Sequence, residues 1–185
     1  MNLASAPPIS FATSRLNIRR YEPTDEDALF EAAKESTREV FEFLPWCRPD
    51  YQRVDTQEWL QAIQANWNSA KSFDFAIFDA AEGKFHGACG ISQIDAHPVG
   101  NLGYWLRSSS HKSGIATEAA IAMTRFGIEF LGFKRIEIVM SVKNLASQAV
   151  AIRTGAVFEG TLRDRLCLHG SLHDAHLYST LLPTI

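Results

Sequence analysis

Apolar and polar residues alternate over residues 15–21 (RLNIRRY), with Leu16 and Ile18 on one face, and this predicts a first strand. Thr24, with Asp27 three residues on, has the spacing of a capping box ahead of an apolar run, so a helix is expected to begin there. The aromatic stretch VFEFLPWCRPDY is interrupted by Pro45 and Pro49 and predicts a short helix and a loop. Asp55 and Glu58 then lead a second amphipathic helix, with Trp59, Leu60, Ile63 and Trp67 at helical spacing. FDFAIFD (residues 73–79) alternates as a strand and AAEGK makes a turn. FHGACGISQID and NLGYWLR are the next two strands, with AHPVG between them.

The stretch SSSHKSGIATEAA follows and opens a helix with Ile115, Ala119, Ala122, Met123, Phe126 and Phe130 along one face and Gly132 as its stop. RIEIVMSV reads as a buried strand. NLASQAVAIRTG reads as a short helix with Leu145, Ala149 and Ile152 on one face and Gly155 as its stop. Two last strands, around 157–168 and 173–181, meet at the turn HGS. Consecutive strands argue for a largely antiparallel sheet. The strand–helix–strand unit from NLGYWLR through RIEIVMSV argues for one parallel pair, since a crossover helix normally joins parallel neighbours. The expected class is α/β (α+β), a seven-stranded sheet with helices on its faces.

Bulk properties narrow the picture. A chain of 185 residues, 46% hydrophobic and 21% charged, suits one globular domain with a sizeable core. The formal net charge is −3 and no basic stripe stands out, so nucleic-acid binding is not expected, whereas a small anionic ligand is allowed. Cys47, Cys89 and Cys167 are too scattered for a disulfide framework or a CxxC metal pair, which fits a reducing compartment. No run of about 18 apolar residues predicts a membrane span. Residues 1–12 lack the layout of a signal peptide and read as a frayed tail, with the domain at 13–185. A cytoplasmic protein is expected.

The loop into the long helix is where chemistry is first legible. A helix start leaves four N–H groups without intrahelical partners at the positive end of the dipole, which suits a phosphate. Gly114 permits close backbone approach, and His111 and Lys112 add donors. Neither GxxxxGK[ST] nor GxGxxG is present, so it is no P-loop or dinucleotide fingerprint. Taken alone, the pattern fits a plain connection as well as an anion seat.

Five segments together resemble the GCN5-related N-acetyltransferase (GNAT) superfamily, in its ribosomal-protein alanine and serine N-acetyltransferase branch. His111-Lys112-Ser113-Gly114-Ile115-Ala116 resembles the superfamily's acetyl-CoA motif, with His111 where Gln or Arg is usual. TSRLNIRRY, LGYWL and NLASQAVAIRTGAVFEG resemble the branch's opening strand, fourth strand and Asn-x-x-Ser helix, and residues 170–179 resemble its last hairpin. The similarity covers residues 13–183. It implies a GNAT sheet whose parallel pair splays apart to admit acetyl-CoA. Backbone groups of Trp105 and Leu106 would bind the pantetheine arm, one N–H polarising the thioester oxygen. The N–H groups of Lys112, Ser113, Gly114, Ile115 and Ala116 would seat the diphosphate, with His111 donating beside them.

Asn144 has a plain reading as a helix N-cap, and the resemblance adds contact with the cofactor arm. Ser147 has a plain reading as a helix-start hydroxyl, and the resemblance implies a hydrogen bond to the departing thiolate. The branch's base is a Glu before the Gly-Tyr-Trp stretch. Asn101 stands there and accepts no proton at working pH. Asp95 and His97 are the substitutes considered, against a plain reading as a solvated turn. A base is dispensable if the acceptor is an α-amine, whose pKa of about 7.7–8.0 leaves a useful neutral fraction where lysine, near 10.4, has almost none.

His169, His173, His176 and Asp174 straddle a hairpin without a familiar zinc spacing, so no metal is expected. Phe41, Phe43, Trp46, Tyr51, Trp59 and Trp67 read mainly as core, and the resemblance, which implies an acceptor groove beside this segment, adds substrate contact for one or two of them. The expected activity is direct acetyl transfer from acetyl-CoA to a primary amine, preferably a protein or peptide N-terminus. A small-amine acetyltransferase and a non-catalytic acyl-CoA-binding module are the alternatives, and both monomer and homodimer stay open.

Overall fold

The strands of the chain form one mixed sheet, and its order fixes where a cleft can open. The computed structural model describes residues 6–94 and 96–181. Among them the elements run β1 (Ser10–Ala12), β2 (Leu16–Arg20), α1 (Glu26–Glu35), α2 (Arg53–Asn68), β3 (Ser72–Asp79), β4 (Phe85–Gln93) and β5 (Val99–Leu106). They continue as α3 (Ile115–Glu129), β6 (Arg135–Ser141), α4 (Leu145–Arg153), β7 (Val157–Leu168) and β8 (Ser171–Leu181). The sheet order is β1-β2-β3-β4-β5-β6-β8-β7. All neighbours are antiparallel except β5 and β6, the pair joined by the α3 crossover.

The sheet has eight strands among the described residues rather than the seven expected, because Ser10–Ala12 pairs with β2. That segment reads as tail in the sequence. Phe11 secures it, stacking with Phe126 at 5.6 Å and meeting Phe75 edge-on at 5.1 Å. Aromatic pairs at these separations attract beyond their area burial. The first helix also starts differently from the expectation. Thr24 does not cap it. A short 3-10 turn at Pro23–Asp25 comes first, and the capping box joins Glu22 to Asp25. Asp25 accepts from the Glu22 N–H at 2.8 Å and from both Arg19 guanidinium nitrogens, so the carboxylate that closes the box is already fixed. Residues 38–43 form successive turns instead of a short helix.

Each face of the sheet carries its own core. Strand alternation puts Leu16, Ile18, Phe73, Phe75, Ile77, Leu102, Leu106 and Ile136 under α3, which contributes Ile115, Ala119, Met123 and Phe126. The other face packs Ala76, Ala88 and Trp105 beneath α1 and α2, with Leu29, Ala33 and Ile63. Phe130 lies outside the buried stripe of α3 at 47% exposure, and Ala120 and Gly127 join it. On α4 the expected inward face is also corrected. Leu145 and Ile152 are 71% and 61% exposed, while Ala151 is fully buried. So short a helix meets the sheet through small residues, and its larger apolar side chains lie on the outside.

Candidate active site

Strand β5 holds both halves of the site. Its parallel pairing with β6 ends at Asn101–Glu137, while β6 continues beside β8 as far as Ser141. Residues Leu102–Leu106 therefore show an open backbone edge on the β6 side. Polar N–H and C=O groups on such an edge call for a partner.

Beyond the end of β5, the chain turns through Ser108–Ser110 and reaches Gly114, whose φ of +82° is the left-handed conformation that glycine adopts without steric cost. Lys112 is also left-handed, at +59°. Among the described residues, the N–H groups of Lys112, Ser113, Gly114 and Ala116 have no protein acceptor, and that of Ile115 has only the Ser113 hydroxyl at 3.4 Å. These donors gather at the N-terminus of the fifteen-residue α3.

Neighbouring groups hold this loop in shape. Arg15 donates from a guanidinium nitrogen to the Ser113 carbonyl at 3.0 Å and from Nε to Glu118 on α3 at 2.7 Å. The Ser113 hydroxyl donates to the Ser110 carbonyl at 2.6 Å, and Ser110 Oγ lies 2.8 Å from Nδ1 of the buried His86. Burial lowers the pKa of His86, against the pull of Asp79. At the end of α1, Glu35 pairs with Arg107 and accepts from the Ser109 N–H at 2.6 Å. Partial burial opposes its charge, but Arg107 and Ser109 outweigh that and hold the carboxyl at about 2. The exposed His111 ring folds back on the strand, and its Nε2 donates to the Leu106 carbonyl at 3.0 Å. In this geometry Nε2–H braces the end of β5 rather than facing the donor cluster.

Asn144 caps α4, its Oδ1 accepting from the Ser147 N–H at 3.0 Å, so the plain reading of this side chain is the one observed. Ser147 Oγ lies 2.9 Å from the Tyr104 hydroxyl. Burial pushes the Tyr104 phenol up to about 12, with the Ser147 bond pulling the other way, so it keeps its proton at any working pH. The sequence reading missed Tyr104. Period-2 alternation with Leu102 and Leu106 would have placed it toward the helix that carries Ser147.

The opposite face of β5 opens into a cleft of about 510 Å³ beneath α2. Trp46, Trp59 and Trp105 wall it, and Ser72, Asp74, Gly90, Ser92, Asn101 and Gly103 lie in its floor and sides. Asn101 is thus in the cleft, with a neutral amide where the resemblance implies a carboxylate. His97 sits on the exposed turn before β5, its carbonyl accepting from Gln93, and is not among the residues lining the cleft. Asp95 lies outside the described residues. The cleft does hold another carboxylate, Asp74 on β3, which the sequence reading did not single out. Its signal was a charged residue interrupting the inward pattern of FDFAIFD.

A family model described as an acetyltransferase (GNAT) domain matches residues 15–157. The chain belongs to the GNAT acetyltransferases. It is 27% identical over 172 residues to YdaF of Bacillus subtilis (strain 168), whose name gives it, provisionally, as a ribosomal N-acetyltransferase. That alignment covers 90% of this chain and 91% of the relative. A ribosomal-protein-serine acetyltransferase of Escherichia coli (strain K12) is 28% identical over 109 residues, 58% of this chain and 60% of the relative. Among solved structures, the L7/L12 α-N-protein acetyltransferase RimL in complex with coenzyme A superposes with a TM-score of 0.84 at 22% identity, covering 95% and 97% of the two chains. MccE, a microcin C7 self-immunity acetyltransferase solved with acetyl-CoA and AMP, gives 0.86 at 22% identity, covering 96% and 99%. These structures show the GNAT fold, and the family makes the chain an N-acetyltransferase. No helix among the described residues is long and apolar enough to cross a membrane.

Proposed function

We propose that this enzyme transfers an acetyl group from acetyl-CoA to the N-terminal α-amine of a protein or peptide. The observation carrying this reading is that β5 has a cleft with an amide at residue 101 on one face and the Tyr104–Ser147 hydroxyl pair on the other. The open edge of β5 and the unpartnered N–H groups from Lys112 to Ala116 fit a long ligand with a diphosphate in it. In this reading Trp105 and Leu106 backbone groups hold the pantetheine arm and the loop holds the diphosphate. The bound thioester supplies an activated acyl group with a fair leaving group, a thiol of pKa near 8.5. Tyr104 and Ser147 hold a proton where a thiolate would depart, and Asn101 orients the amine without ionising.

An α-amine suits a site with a neutral amide at this position, because its pKa of about 7.7–8.0, against about 10.4 for lysine, asks far less of any other group that takes its proton. The test is thiol release from acetyl-CoA across a panel of free-amine peptides, lysine side-chain amines and small amines. Peptide N-termini should be the better acceptors. Much faster turnover of matched ε-amines would refute the choice of acceptor, and binding of acetyl-CoA without turnover on any amine would refute the enzyme reading. The three tryptophan walls support a second reading, a small amine with an apolar body, and the same panel separates the two.

A further inference from the structure

Three strands line up across the floor of the cleft. Asp74 pairs with Gly90 on β4, and Gly90 pairs with Gly103 on β5. All three positions face α2, as do Ala76, Ala88 and Trp105 in the next row. The row therefore holds one carboxylate and then two residues without side chains. A Cβ on Gly90 would overlap Asp74 Oδ1, so that oxygen occupies the space over β4 that a side chain would fill. A Cβ on Gly103 would meet nothing within 4 Å. The carboxylate thus reaches over one strand, and bare floor lies beyond it up to the open edge of β5.

We infer that Asp74 is the residue that receives the acceptor's ammonium group and takes its proton. The inference rests on reading the cleft as the acceptor's. Neighbouring strands are about 4.8 Å apart, so Oδ1 over Gly90 stands one spacing from Gly103. An ammonium bound to it at about 2.8 Å covers more than half of that gap and lies at the edge of β5. Oδ2 is occupied by the Ser72 hydroxyl at 2.7 Å, whereas Oδ1 has no protein donor among the described residues. No lysine, arginine or histidine among the described residues pairs with this carboxylate, although Lys71 lines the same cleft. The buried Tyr21 hydroxyl, also without a partner there, lines a second cleft of about 300 Å³ that reaches Asp74 as well.

The proton count closes. An incoming R–NH3⁺ gives one proton to Asp74 Oδ1, and the nitrogen lone pair then forms the N–C bond. The C–S bond breaks, the sulfur takes a second proton through the Tyr104–Ser147 pair, and the amide keeps the third. Asp74 returns its proton to solvent. Burial raises the Asp74 carboxyl, with the Ser72 bond opposing, which makes it a better base than an exposed aspartate. Tyr21 and Lys71 line the clefts that Asp74 reaches, and Cys89, on the opposite face of the sheet, is a further titratable neighbour. Burial drives the Tyr21 phenol and the Cys89 thiol upward, away from the neutral range.

The test uses the full chain loaded with CoA. Binding of the tripeptide Ala-Ala-Ala, its N-acetylated form and phenethylamine is measured by calorimetry, and acetyl transfer is followed from pH 5 to 9. In Asp74→Asn, binding of the free amines should weaken at least tenfold, and the acetylated peptide should not distinguish the variant from the parent. Transfer should fall about 100-fold, the acidic limb of the pH profile should vanish, and CoA affinity should hold. Asp74→Glu should recover part of the rate. A carboxyl whose folded pKa is raised favours folding below its unfolded pKa and loses that contribution as pH rises through the folded value. Asp74→Asn should therefore melt no lower than the parent at pH 7. Gly103→Ala, whose methyl enters open space, should weaken free-amine binding without lowering the melting temperature. Parent-like amine binding and an unchanged acidic limb in Asp74→Asn would overturn the inference even if the parent transfers acetyl groups. Asp74-dependent amine binding by a parent that releases no thiol would sink the transferase reading and leave this site standing.

Discussion

Tyr104→Phe removes one oxygen from a position with two separable jobs. The hydroxyl lies 2.9 Å from Ser147 Oγ and 3.3 Å from the Ser147 carbonyl. Losing one such bond at a partly buried site costs about 1 kcal/mol of stability, a melting shift of a few degrees for a chain of this size. The catalytic loss should be larger. General acid assistance is worth 10²–10⁴-fold, and a thiol leaving group puts the effect at the low end, so kcat should fall about 100-fold, or roughly 2.7 kcal/mol. Because burial holds the phenol near 12, the parent should show no alkaline fall in kcat from Tyr104 below about pH 11. The assay is single-turnover thiol release in a double-mutant cycle with Ser147→Ala. If the two hydroxyls act as one proton path, the second substitution should cost little once the first is made. Additive losses, or a kcat within twofold of the parent beside the small melting shift, would refute the reasoning.

Two further outcomes test how the site is held. Gly87 has φ +148°, and a side chain there would overlap the Trp105 carbonyl and come within 2.8 Å of Leu106 Cα, so Gly87→Ala should lower stability by about 3 kcal/mol or more in thermal melts and loosen the end of β5. Glu35→Gln breaks the pairing with Arg107. Since the folded carboxyl is depressed to about 2, its contribution is present above the unfolded value near 4.5 and is lost as pH falls through 2. The variant should be about 1–2 kcal/mol less stable at pH 7, discounted for the 28% exposure of the Glu35 side chain, and the gap should close on acidification.

Much of the fold was legible because strand and helix periods differ and the chain keeps both cleanly. The alternation in RLNIRRY and FDFAIFD and the glycines at 114, 132 and 155 place the elements to within a few residues. Three-residue β1 is too short for any period to show, and it is held by its pairing with β2 and by the ring of Phe11 against Phe126 and Phe75. The inward face of α4 was misread because Leu145 and Ile152 are larger than Ala151, yet the sheet lies close enough to favour the smaller residue. The loop at 111–116 was legible as a glycine-led helix start, and Gly114 does cap α3 in the left-handed conformation. The bond from His111 back to β5 was not legible, since its partner is a backbone carbonyl, which no residue type betrays. Asp74 was hidden for a different reason. Its neighbours across the sheet are glycines 16 and 29 residues away, and only the register joins them into one row.

That register also explains how one strand can serve two chemistries. Along β5, Asn101, Gly103 and Trp105 look toward α2 and the cleft, while Leu102, Tyr104 and Leu106 look toward α3 and α4. Gly103 and Tyr104 are adjacent in sequence and point to opposite faces, so the floor that would admit an amine and the hydroxyl that would protonate a sulfur are one peptide unit apart. The β6 side of that same peptide is free because parallel pairing has already ended at Asn101. A one-residue slip of β5 against β4 would turn Tyr104 into the cleft and bring Gly103 to the helix side, breaking both halves at once. The Gly87 backbone conformation and the Glu35–Arg107 pairing hold the end of β5 against such a slip, which is why substitutions there should disturb acceptor and cofactor binding together.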